Sequence, residues 1–193
     1  MIITGKDITG VILAGGKGRR MGGQDKGLVE YRQRPLIEHV IERLAPQVGH
    51  LLINANRNAA TYQRYGFPII ADQLADYQGP LAGFSVAMLA AKTDYVLTAP
   101  CDGPLLPYDL VSRMVKTMNL EKAEISVAHD DQHLQSVYAL IKRDLLPSLE
   151  ACIQSGQRRV DVWYASQKTA LTDFSDTPES FFNVNFPEDR DEI

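Results

Sequence analysis

An α/β fold with a mostly parallel central sheet is predicted by three features of the sequence. Four short apolar segments, 10–14, 51–54, 68–71 and 95–99, recur with longer helical patterns between them. Each is nearly continuous in apolar character, as a strand covered on both faces must be. The first runs into a glycine-rich stretch, and the third and fourth run into Asp72 and Asp102. Such alternation predicts a three-layer α/β/α, Rossmann-like arrangement with right-handed crossovers. Ligands in such folds gather beyond the carboxyl ends of the strands.

The segments between the strands carry helical patterns at 35–44, 59–65, 81–91 and 107–118. Pro35 and Pro107 stand where a proline suits the first helical turn. The rhythm then changes. Segments 125–129 and 135–141 flank Asp130-Asp131-Gln132, which reads as a hairpin turn. This predicts an antiparallel element in the C-terminal half of the sheet. Helices follow at 144–154 and 158–166. The tail from 173 is polar, with Phe181, Phe182, Val184 and Phe186 as apolar anchors. No repeat, low-complexity segment or long linker divides the chain, so 1–193 reads as one domain.

Composition narrows the function. The 193 residues suffice for a buried core. With 45% hydrophobic and 23% charged residues, the chain is neither disordered nor a membrane protein in composition. No run of about 18 apolar residues exists. Residues 1–9 include Lys6 and Asp7 and lack the apolar centre of a signal peptide. A cytoplasmic protein without a membrane partner is expected. Cys101 and Cys152 make no disulfide framework and no CxxC metal pair. The net charge of −4 shows none of the basic excess of a nucleic-acid binder.

The richest stretch is Leu13-Ala14-Gly15-Gly16-Lys17-Gly18-Arg19-Arg20-Met21-Gly22-Gly23-Gln24-Asp25-Lys26-Gly27. Glycines let backbone N–H groups approach phosphate oxygens with no Cβ in the way. Arg19, Arg20 and Lys26 bring positive charge for a polyphosphate. Two familiar phosphate loops do not fit. Lys26 lies between Asp25 and Gly27, which is not GxxxxGK[ST]. Met21 occupies the last glycine position of GxGxxG, and the second strand ends in Asn54-Ala55-Asn56 without a ribose-binding acid.

Other candidates sit at strand and helix ends. Asp102 suits Mg²⁺, which takes oxygen ligands and usually one or two carboxylates; it could instead cap the following helix. Asp72 can accept hydrogen bonds from a base or ribose. Asn54 either contacts a nucleotide or caps a turn. Gly79 and Gly83 flank a helix start, and suit either close ligand approach or tight packing. Asn183 and Asn185 have the i, i+2 spacing that puts both on one side of a strand. His129 and His133 have HxxxH spacing, but their strand-like flanks favour a turn over a metal site.

The opening motif, with Asp72, Gly79-Pro80-Leu81-Ala82-Gly83, Pro100-Cys101-Asp102, Gly156-Gln157-Arg158-Arg159-Val160 and Asn183-Val184-Asn185, resembles the nucleoside-triphosphate transferase superfamily. It looks most like the molybdenum cofactor guanylyltransferases, over nearly the whole chain. The resemblance implies a Mg²⁺-dependent transfer of GMP from GTP to molybdopterin or the molybdenum cofactor. The N-terminal part would bind nucleotide and the C-terminal part the acceptor. It implies nucleotide contacts from Leu13, Ala14, Gly15, Gly16, Gly18, Arg19, Lys26, Asn54, Asp72 and Asp102. Lys26, Asp102 and Arg20 would be catalytic, with Mg²⁺ on Asp102. Gly79, Gly83, Asn183 and Asn185 would serve the acceptor. Cofactor-biosynthesis proteins and target molybdoenzymes or their chaperones are the implied partners. Gly16 favours guanine, because cytidylyltransferase relatives usually carry Leu-Ala-Ala-Gly here. The rival readings are a cytidylyltransferase, a sugar-phosphate nucleotidyltransferase, a non-catalytic GTP-binding adaptor and a GTPase switch, which lacks its Walker lysine here. Three positions depart from the pattern. Gly103 stands for a larger or hydroxyl-bearing residue, Ser136 for a proline and Phe186 for a threonine.

Overall fold

The computed structural model of the protein describes residues 3–16, 24–72 and 79–184. Among these, seven strands form one mixed sheet: β1 (Ile8–Leu13), β4 (His50–Asn54), β5 (Ile69–Ile70), β6 (Tyr95–Pro100), β7 (Ile125–His129), β8 (Leu134–Lys142) and β9 (Thr169–Asp173). Their order is β5-β4-β1-β6-β8-β7-β9. Strands β5, β4, β1 and β6 are parallel, while β8 runs antiparallel to both its neighbours, β6 and β7. A separate small hairpin joins β2 (Glu30–Tyr31) and β3 (Arg34–Pro35).

The two faces of the sheet follow from strand alternation. Ile12, Leu97 and Leu140 point to one side, and Val11, Val96 and Ile141 to the other. Helices α1 (Leu36–Leu44) and α4 (Leu110–Glu121) cover the first side with Val40, Leu44, Met114 and Met118. Helices α3 (Pro80–Ala90), α5 (Leu146–Gln154) and α6 (Val160–Ala165) cover the second with Phe84, Leu149 and Trp163. Helix α3 is buried from Leu81 to Met88 because it lies between the sheet and α5. It is accordingly apolar all round. The short α2 (Ala59–Tyr62) continues into a 3-10 turn, Gln63–Tyr65. No helix among the described residues is long and apolar enough to cross a membrane.

The predicted α/β class and antiparallel element are present, with local differences. Strand β1 begins earlier because Thr9 is buried as a hydrogen-bonded polar residue: its Oγ1 lies 2.6 Å from Thr93 Oγ1. Helix α4 begins at Leu110, with Asp109 at its N-cap position. Pro107 stays outside the helix, and its carbonyl accepts the Gln47 side-chain amide at 2.8 Å. Pro35 is likewise the N-cap of α1, not part of its first turn. Strand β9 was not predicted. It extends the sheet beyond β7, turning Ala170 and Thr172 inward, with Thr172 and Ser126 hydroxyls 2.6 Å apart.

Candidate active site

The parallel strands align their carboxyl ends. Leu13 at the end of β1 pairs with Asn54 of β4 on one side and Pro100 of β6 on the other, and Asn54 pairs with Ile70 of β5. The chain therefore leaves four adjacent strands at one edge. The Ala14 amide still donates to Asn54 O at 2.8 Å, and Cys101 N to Leu13 O at 3.2 Å. A cavity of about 630 Å³ opens at this edge, a volume suited to a nucleotide-sized ligand. Leu13, Ala14, Gly15, Gly16, Lys26 and Asn54 line one part of it. Asp72, Gly79, Gly83, Asp102 and Asn183 complete the predicted set. Gly18, Arg19, Arg20 and Asn185, also predicted for the site, lie outside the described residues.

Lys26 Nζ donates to Asp102 Oδ2 at 2.8 Å across the floor of this cavity. Asp102 is 8% exposed and sits in the turn after β6, so it does not cap α4; that position belongs to Asp109. The Asp102 carbonyl accepts the Val184 amide at 2.9 Å, tying the neighbourhood of Asn183 to the same turn. Among the described residues no group of three or more His, Cys, Asp or Glu could form a metal cage.

Asp72 is held by two asparagines. Asn54 Nδ2 donates to its Oδ1 at 3.0 Å, and Asn56 Nδ2 to its Oδ2 at 2.8 Å. The Asp72 amide returns a 2.8 Å bond to Asn56 Oδ1. The cluster reaches the glycine stretch, since Asn56 Nδ2 also approaches Gly15 O at 3.2 Å. A Cβ on Gly15 would lie 2.7 Å from Asn56 Nδ2, and one on Gly83 would lie 3.0 Å from Leu13 Cδ2. Gly83 thus packs against Leu13 and Asn54, residues predicted for the nucleotide. Gly79 precedes α3 at φ +70°, a conformation that favours glycine. Gly16 has nothing within 4 Å of an added Cβ.

Three parts of the site were not singled out in the sequence. Asn56 is the first; its amide-rich neighbour Asn54 was the available signal. The second is a buried clamp on Asp25. Tyr62 Oη donates to Asp25 Oδ1 at 2.6 Å and Asn58 Nδ2 to Oδ2 at 3.0 Å, with Arg57 Nε 3.6 Å from Oδ2. Burial, then Cys101 and Asp25, push the Tyr62 phenol well above its ordinary range, so it stays a donor. This clamp fixes the residue next to Lys26. The third is the amino half of β8, whose residues 134–138 line the cavity because β8 runs against its neighbours. Cys101 is a buried small residue, and burial followed by Asp102 and Asp25 raises its thiol pKa well above 9.0. His129 and His133 flank the β7–β8 turn, where Asp130 Oδ1 accepts the Gln132 and His133 amides.

Comparison with known proteins agrees with this geometry. Residues 10–170 match the MobA-like NTP transferase domain. A molybdenum cofactor guanylyltransferase of Shewanella halifaxensis is 50% identical over 96% of this chain and 93% of its own length. The Shewanella piezotolerans guanylyltransferase is 49% identical over 96% of this chain and 91% of its own. In three dimensions the chain is similar to molybdopterin-guanine dinucleotide biosynthesis protein A of Archaeoglobus fulgidus. That match has a TM-score of 0.77 at 21% identity, covering 95% of each chain. The chain belongs to the MobA-like NTP transferases and, within them, to the molybdenum cofactor guanylyltransferase family.

Proposed function

We propose that this chain transfers GMP from GTP to molybdopterin-bound molybdenum cofactor and releases pyrophosphate. The observation that carries the reading is the Lys26–Asp102 pair beside the Asn54–Asp72–Asn56 cluster, at one edge of four parallel strands. An oxygen of the acceptor's terminal phosphate attacks the α-phosphorus of GTP. The bond to the β-phosphate oxygen breaks, and pyrophosphate leaves with that electron pair. No side chain forms a covalent intermediate, so the chain's work is alignment and charge stabilisation.

Asp102 fits Mg²⁺ as a hard oxygen donor, and a single carboxylate suits an ion that arrives with nucleotide phosphates. When bound, the ion supplies Lewis-acid polarisation of the phosphate. Lys26 turns its ammonium from Asp102 to the triphosphate. Backbone N–H groups of Gly15 and Gly16 hold phosphate oxygens, and Gly18, Arg19 and Arg20 continue that role, while the Ala14 amide stays bonded to Asn54 O and fixes the start of the loop. Asn54 and Asp72 face the nucleoside, with Asn56 fixing the carboxylate. Asn183 and Asn185 serve the acceptor, together with Gly79. We place the reaction in the cytoplasm, with delivery by contact with cofactor-making proteins and with molybdoenzymes or their chaperones.

The test is acceptor-dependent pyrophosphate release with Mg²⁺, comparing GTP, CTP and ATP. Release with GTP alone, only when molybdopterin is present, supports the reading. Release with CTP moves the chain to cytidylyl transfer. Tight GTP binding without release under any condition supports a non-catalytic adaptor.

A further inference from the structure

We propose that the Tyr138 hydroxyl is a hydrogen-bond donor held for a phosphate oxygen of the acceptor, and that residue 103 is glycine to leave it room. Tyr138 lies on β8 and is 1% exposed. Its ring is fixed edge-on against Phe181, with centroids 4.9 Å apart and planes at 81°. Its hydroxyl is buried and has no hydrogen-bond partner among the described residues. Buried polar groups are nearly always paired, so an orphan beside a ligand cavity calls for an explanation.

The surroundings supply one. Tyr138 lines the same cavity as Asp102 and Asn183. A Cβ on Gly103 would overlap the Tyr138 hydroxyl, and would stand 3.3 Å from Asn183 Oδ1. The phenol end therefore fills the space that a side chain at 103 would occupy, directly after Asp102. Burial, then the charge of Asp102, holds the phenol protonated well above its ordinary range. It can donate. The attacking phosphate must come close to Asp102 and Lys26, so a donor here meets the acceptor and not the base of the nucleotide. The inference rests on the acceptor end of the cavity lying at Asn183.

Tyr138→Phe removes the hydroxyl and keeps the ring packed on Phe181. The expected result is a rise of roughly tenfold in KM for molybdopterin, the size of one lost charge-assisted hydrogen bond. GTP affinity by calorimetry and the thermal midpoint should not fall, because the hydroxyl satisfies no group among the described residues. Binding of metal-free molybdopterin, followed by pterin fluorescence, should weaken in parallel. Gly103→Ala should also raise acceptor KM, and by less in the Tyr138→Phe background, where the overlapping oxygen is gone. An unchanged acceptor KM and affinity in Tyr138→Phe overturns the proposal. If Asn183→Ala then raises acceptor KM, the acceptor end stands and only the tyrosine assignment falls. If Asn183→Ala is also silent, the acceptor end itself is misplaced.

Discussion

Lys26 and Asp102 are 76 residues apart in sequence and meet at 2.8 Å between nitrogen and oxygen. Their side chains are 25% and 12% exposed, so the pair is partly shielded from water. In this structure each neutralises the other. Lys26→Ala and Asp102→Ala should each lower the rate of pyrophosphate release about a hundredfold or more. Far-UV circular dichroism should stay unchanged, since neither residue belongs to the apolar core. Wild-type rates in both variants would remove this pair from the mechanism.

The clamp on Asp25 predicts an effect on stability that reaches the site. Tyr62→Phe removes a 2.6 Å bond to a buried carboxylate and should cost about 2 kcal/mol in urea unfolding. Lys26, the next residue, should then be held less firmly, so KM for GTP should rise as well. A stability loss with unchanged GTP kinetics would confine the clamp to the fold.

Gly15 and Gly16 should part company on substitution. Gly15→Ala forces a Cβ to 2.7 Å from Asn56 Nδ2, so it should lower the melting temperature by several degrees, for about 1 kcal/mol or more of strain. Gly16→Ala meets nothing within 4 Å, so it should melt normally and lose GTP affinity alone. Calorimetric titration beside thermal melts separates the two. Normal GTP affinity in Gly16→Ala would show that no phosphate passes close to that residue.

Cys101 sets an alkaline dependence. Its thiol is raised well above 9.0 by burial first, so the folded protein keeps a proton that the unfolded chain releases near pH 9. The contribution is present in full below that pH and is lost as pH rises beyond it. Urea midpoints should therefore fall from pH 8 to pH 10, and less steeply in Cys101→Ala. Iodoacetamide should label the partly exposed Cys152 in the native protein, and Cys101 only after unfolding.

The parallel half of the fold was legible because its strands are short continuous apolar runs with a candidate site residue at the end. Asn54, Asp72 and Asp102 were found that way, and Leu13 through the family resemblance; they line one cavity. The partnership of Lys26 with Asp102, or of Asn56 with Asp72, is a tertiary fact with no local pattern. Strand β9 carries Thr169-Ala170-Leu171-Thr172-Asp173, whose inward residues are small or hydroxylated and give no apolar rhythm. The β2–β3 hairpin turns through Arg32 and Gln33, both at positive φ, without the Asn-Gly or Asp-Gly that announces such turns. Helix α4 starts late because the Pro107 carbonyl is engaged by Gln47, a contact across 60 residues.

The reversed direction of β8 divides the site by origin. The side that we propose for the nucleotide comes from outgoing ends of parallel strands, each followed by a crossover that the sheet order constrains. The opposite wall comes from the incoming end of β8, just after a surface turn at residues 130–133. A turn can lengthen, shorten or change composition without moving any crossover. On the proposed reading, acceptor preference can thus drift by edits near one hairpin while the triphosphate side stays fixed. Grafting 130–138 from a nucleotidyltransferase with another acceptor is the corresponding engineering route.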